Sequence, residues 1–173
     1  DPAVDLKKDR ILGTFALLTN SGRGELAVID MNRGRLVDLD IQAFGFNMLP
    51  VGLLPESVDV SVDGCHGIVA NRGSCDLSLV DTTRLLAPQM AGPRPVTGPG
   101  SVAMTIVPRT ESGQLRATPF EVLFLVPAAG VPLPTSQCGA PRMAGVAGAV
   151  VPRAVVSFPS CDLVATIDLP SGG

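Results

Sequence analysis

The sequence predicts an all-β chain built from one repeated antiparallel unit, and three observations carry that expectation. First, a phrase recurs. Thr19-Asn20-Ser21-Gly22 leads into Glu25-Leu26-Ala27-Val28-Ile29-Asp30, and Ala70-Asn71-Arg72-Gly73 leads into Asp76-Leu77-Ser78-Leu79-Val80-Asp81. A third version, Ser160-Cys161-Asp162-Leu163-Val164-Ala165-Thr166-Ile167-Asp168, lies near the end. Second, the segments between turn signals are short and apolar or alternating, the length and period of strands. Third, 19 Gly and 16 Pro punctuate 173 residues, which suits many short strands joined by tight turns. Repetition at a spacing of roughly 40–50 residues points to a radial or solenoid architecture.

The elements follow in order. Residues 1–13 are polar and then turn-like, and read as an N-terminal arm preceding a domain over 14–173. Phe15-Ala16-Leu17-Leu18-Thr19 is an apolar strand stopped by Asn20-Ser21-Gly22. A second strand at 25–30 stops at Asp30 and the turn Asn32-Arg33-Gly34. Residues 36–41 alternate polar and apolar, as a half-exposed outer strand does. Ser57 to Val62 alternates with period 2, and Asp63-Gly64 is a hairpin turn signal. Strands at 67–71 and 76–81 complete that unit. Residues 85–100 read as loop. Residues 101–107 are read as opening a third unit, with 121–126 as partner. The Pro/Gly/Ala stretch 128–150, which holds Cys138, is an irregular insertion of a length that is usually functional. Strands at 154–158 and 162–168 resume the theme. No helix longer than two turns is expected.

Composition excludes several function classes. A net charge of −3 and a pI near 5.0 leave no general nucleic-acid footprint. The aromatic residues are six Phe, with no Trp or Tyr to stack bases, cage a cation or form a membrane-interface belt. No apolar run approaches the length of a transmembrane helix. The four Cys suit two disulfides in an exported protein, periplasmic, extracellular or at the outer membrane. The start at Asp1-Pro2 is read as a removed leader or an internal start.

Candidate sites are few. Asn20 and Asn71 sit at equivalent turns, as do Asp30 and Asp81. Residues that recur with a structural unit serve the unit, so these four, with Asp63 and Gly64, are read as turn residues. Cys65-His66 could seed a metal site, but His66 has no carboxylate or Cys at ligand spacing and reads as a solvated turn residue. Asp59 and Asp63 could touch Ca²⁺ and are read as solvated. There is no Cys-x-x-Cys, nucleophile elbow or phosphate loop. No catalytic, cofactor-binding or metal residue is therefore named. Cys65 and Cys75 flank one strand and should stand about 20 Å or more apart, beyond disulfide reach. Cys138–Cys161 is the expected bridge, pinning the insertion to the last hairpin and contributing about 2–4 kcal/mol. Cys75 is the alternative partner of Cys138.

The run Gly52-Leu53-Leu54-Pro55-Glu56-Ser57-Val58-Asp59-Val60-Ser61-Val62-Asp63-Gly64 resembles the blade-opening phrase Gly-x-x-Pro-x-x-Val-x-Val-x-x-Asp-Gly of YVTN-type β-propeller repeats. The resemblance covers 15–107 well and 154–171 moderately, while 108–153 departs from it. It implies β-propeller blades of four-stranded antiparallel sheet, about two and a half of them, within the 4–8 of a closed ring. The chain would begin at the second strand of a blade and stop where an outer strand is due. A larger ring is therefore expected, completed by further chain or by a protein partner, with Phe15, Leu17 and Ile29 buried against that material or the arm. The implied function is a non-catalytic exported scaffold, a protein-interaction module of a surface or periplasmic assembly. The rival is a lactonase-like hydrolase with its site at the central channel, where the inner strands 57–62 and 101–107 offer only Asp59.

Overall fold

Segments this short satisfy their backbone groups only by pairing with one another, and the computed structural model shows them doing so. It describes residues 14–39, 48–62, 64–82, 85–86, 103–106, 117–126 and 153–169. These form an all-β arrangement of three antiparallel sheets. Sheet 1 holds β1 (Phe15–Asn20), β2 (Glu25–Asp30), β3 (Arg35–Leu36) and β4 (Met48–Pro50). Both β3 and β4 pair with β2, β3 at its last residues and β4 at its first. Sheet 2 runs β5 (Pro55–Val60), β6 (His66–Asn71), β7 (Asp76–Asp81), β8 (Ala103–Ile106). Sheet 3 runs β9 (Glu121–Phe124), β10 (Arg153–Phe158), β11 (Leu163–Asp168). Thr82, Leu85 and Leu86 are helical, and Pro159–Cys161 is a 3-10 turn.

The strands differ from the sequence expectation in three places. The strand expected at 36–41 forms a regular ladder only at Arg35–Leu36; Val37 N–H still donates to the Val28 carbonyl at 2.8 Å, Val37 and Leu39 are buried, and residues 40–41 lie outside the described residues. The strand β4 was not foreseen: three residues ending in Pro show no alternation. Residues 103–106 do not open a third unit. They pair with β7, Leu77 opposite Ile106 and Val80 opposite Ala103, as the last strand of sheet 2. The third sheet begins at β9. The arm 1–13, the insertion 128–150 with Cys138, and Asp63 lie outside the described residues.

The recurring phrase is one hairpin drawn three times in one register. Phe15 lies opposite Asp30 and Asn20 opposite Glu25. His66 lies opposite Asp81 and Asn71 opposite Asp76. Arg153 lies opposite Asp168 and Phe158 opposite Leu163. Each turn ends on a residue of positive φ: Gly24 at 69°, Cys75 at 56° and Asp162 at 49°. That left-handed step is free for Gly and costs a side-chain residue energy.

Sheet 2 lies between the other two. On one face Val69 and Val80 pack with Leu26, Val28, Val37, Leu39, Leu49 and Leu85. On the other, Ile68, Ala70, Leu77 and Leu79 pack with Val122, Phe124, Ala154, Val156 and Phe158. Burial on both sides explains why β6 and β7 read as near-continuous apolar runs. Each such Leu, Ile or Phe contributes about 1.5–3 kcal/mol by leaving water. Phe15 and Leu17 pack onto this first core, so their cover comes from within the chain. Gly67 makes room for Leu17, whose Cδ1 would stand 3.3 Å from a Cβ there.

Candidate functional site

The chemistry-bearing side chains of the described residues gather where sheets join and where turns close. Among those residues no group of three or more His, Cys, Asp or Glu is placed to hold a metal ion, and no helix is long and apolar enough to cross a membrane.

The crossover from β4 to β5 shows what the Gly-x-x-Pro phrase does. Val51 N–H donates to the Gly24 carbonyl of the first hairpin turn at 2.9 Å. Leu53 N–H donates to Ser74 Oγ at 2.9 Å. The carbonyls of Leu53 and Leu54 accept from Gly73 and Arg72 N–H of the second turn at 2.9 and 3.0 Å. Gly52 passes between the two turns so closely that a Cβ there would meet Ser74 Oγ, Asp76 Oδ1 and Asn71 Cβ. Leu54 takes a φ of 48° to deliver its carbonyl. The crossover thus ties two hairpins that are remote in sequence.

Asn71 is wholly buried at this junction. Its Nδ2 donates to Asp76 Oδ1 at 2.7 Å and Ser78 Oγ at 2.9 Å, while its Oδ1 is buried without a partner. Asn20, at the equivalent place, is half-buried, and its carbonyl accepts from Arg23 and Gly24 N–H at 3.2 and 3.0 Å. Asp30 is buried and caps its own turn, Oδ1 accepting from Asn32 and Arg33 N–H at 3.0 and 3.1 Å. Asp81 is half-buried at the end of β7. Asp168, in the same register position as Asp30 and Asp81, is instead exposed and ion-paired with Arg153 Nε at 2.6 Å. The hydrogen bond from that guanidinium holds the Asp168 carboxyl below the usual carboxylate range and raises the Arg153 pKa. Gly64 has a φ of 71° and donates its N–H to the Ser61 carbonyl at 2.7 Å. Its own carbonyl accepts from Thr82 Oγ1.

Asp59 is not a solvated carboxylate. Its Oδ2 accepts the backbone N–H of Phe124 at 2.6 Å, and its Oδ1 that of Val60 at 2.8 Å. Two residues earlier, Ser57 Oγ accepts from Val122 N–H at 3.3 Å. The edge strand β5 of sheet 2 therefore uses two side chains to satisfy N–H groups on the edge strand β9 of sheet 3. Nothing local in the sequence marks this latch, because its partners lie 65 positions away.

His66 opens β6 instead of sitting in a solvated turn, and its Nδ1 is buried without a partner. Cys65 is buried and disulfide-bonded. Cys75 and Cys161 are free thiols. The expected Cys138–Cys161 bridge is therefore not formed, nor is its Cys75 alternative. Cys161 lies in a turn whose residues are all exposed. Cys75 faces the neighbouring sheet, its Sγ 3.5 Å from Thr118 Oγ1. Beside it the Arg72 guanidinium lies 5.9 Å over the Phe120 ring.

Each outer sheet leaves large apolar side chains exposed on one face, although Ala27, opposite Leu18, is buried. Leu18 on sheet 1 is 55% exposed, and on sheet 3 Leu123 and Val164 are 55% and 64% exposed. No family model and no curated protein matches the chain. Among solved structures it is similar to hydrazine synthase of Kuenenia stuttgartiensis, with 15% identity and a TM-score of 0.49 over 88% of this chain. The chain spans 28% of that protein's chain.

Proposed function

We propose that the three sheets are consecutive blades of a YVTN-type β-propeller, and that the chain is a non-catalytic scaffold within a larger exported assembly at the cell surface or in the periplasm. One observation carries this reading. Register makes Leu26, Leu77 and Val164 equivalent, and likewise Leu18, Val69 and Val156. Leu26, Leu77, Val69 and Val156 are each 0% exposed, whereas Val164 and Leu18 are open. The same positions are sealed wherever a neighbouring sheet exists and bare where the stack ends. Exposed apolar sheet faces of this kind mark interaction sites. The disulfide of Cys65 supports an oxidising compartment.

The hydrolase alternative draws no support from Asp59, whose carboxylate is committed to two backbone N–H groups. The test is hydroxyl-radical footprinting of the protein in the assembly isolated from its source. Leu18, Leu123 and Val164 are expected to be shielded there. Full labelling of all three would sink the scaffold reading.

A further inference from the structure

Each sheet has a leading face, turned toward the sheet before it, and a trailing face, turned toward the sheet after it. The trailing face of sheet 1 carries Leu17, Leu26 and Val28 and meets the leading face of sheet 2, with Val69 and Val80. The trailing face of sheet 2 carries Ile68, Leu77 and Leu79 and meets the leading face of sheet 3, with Ala154, Val156, Ala165 and Ile167. The same kind of interface is thus built twice. Two halves are left over: the leading face of sheet 1 and the trailing face of sheet 3.

The leftover leading face repeats the centre of one already in use, with Asn20 and Glu25 standing where sheet 3 has Phe158 and Leu163. Register places Ala16, Leu18, Ala27 and Ile29 of sheet 1 at the positions of Ala154, Val156, Ala165 and Ile167 of sheet 3. The four differ only by Leu for Val; Leu18 is the exposed one, and Ala27 is already buried. The face that would receive them bears Val155 and Val164 at the positions of Ile68 and Leu77, beside Leu123. It is rimmed by the Arg153–Asp168 ion pair and by the exposed Glu121. An apolar centre with a charged rim is the anatomy of a protein interface.

We propose that these two faces are the halves of a third interface of the same kind, made between two copies of this chain. The trailing face of each copy packs on the leading face of the other. This rests on reading the sheets as propeller blades. A head-to-tail contact of unlike faces closes when the rotation between copies allows it and otherwise runs on into a filament. Two copies of three sheets give six, inside the range of about 4–8 blades in which propellers close. Closure by two covers Leu18, Leu123 and Val164 together, and removing such exposed side chains from water favours it.

The test is the solution mass of the 173-residue chain by light scattering, with Leu18→Arg and Val164→Arg as variants. Both side chains are exposed within one chain, so the substitutions leave each copy folded, and circular dichroism checks that. The expected results are a dimer for the native sequence and a monomer for each variant. Mixing the two variants should restore a weaker dimer, because one of its two interfaces then joins two native faces. A monomeric native chain, a larger closed or open oligomer, a dimer that survives both substitutions, or variants that stay monomeric on mixing would each overturn the proposal. If the chain is monomeric while Leu18 and Val164 are shielded in the assembly from its source, the second copy is wrong and the propeller reading stands. If they are labelled there too, both fall.

Discussion

At Gly52 an added methyl has nowhere to go. A Cβ would lie 2.6 Å from Asn71 Cβ and 2.5 Å from Asp76 Oδ1, both fixed by the buried amide of Asn71. Overpacking of this sort costs about 1–3 kcal/mol, so Gly52→Ala should lower the unfolding free energy by that amount, read as a lower denaturant midpoint; an unchanged midpoint would show that the crossover is not tight. Asp168 offers a second test at this scale. Its carboxyl is held low by the Arg153 hydrogen bond, so the ionised form is favoured in the folded chain. The stabilisation is present above the ordinary carboxylate pKa and fades as pH falls through the lowered folded value. Both partners are exposed, so salt should weaken it further. Carboxyl-carbon NMR should place the Asp168 midpoint below the ordinary range, and Arg153→Ala should return it; equal midpoints would mean the pair is absent in solution.

Between elements, the Asp59 latch is the most exposed to test. Asp59→Ala leaves the Phe124 N–H at the edge of β9 without its acceptor. The loss of a charge-assisted bond to a part-buried donor costs about 1.5–3 kcal/mol. Faster hydrogen exchange at Phe124, with sheet 1 unaffected, is the expected signature. Exchange unchanged at Phe124 would mean that β9 is satisfied otherwise. The cysteines give a second test. Peptide mapping without reduction should recover Cys75 and Cys161 as free thiols and Cys65 as a bridged residue. A free Cys65 thiol would refute this assignment.

For the molecule as a whole, stability should be concentrated around sheet 2, which is packed on both faces. Phe158 takes the position that Asn71 holds in sheet 2, and it is buried in the core between sheets 2 and 3. Truncation to Ala should cost about 3–5 kcal/mol, read as a single cooperative shift in denaturant unfolding; a loss below about 1 kcal/mol would show that sheet 3 is loosely docked. The hairpins and their turns were legible in the sequence, since a two-residue period and turn residues such as Asn20-Ser21-Gly22 act over a few neighbouring positions. Tertiary structure alone decided that β8 joins β7, that Asp59 caps β9, that Phe15 and Leu17 pack within the chain, and that Leu18 and Val164 stay open. The physical reason is range. A turn or an alternating strand is specified by adjacent residues, whereas a free sheet edge or an apolar face can accept any partner of matching shape, and only the folded stack shows which one it takes.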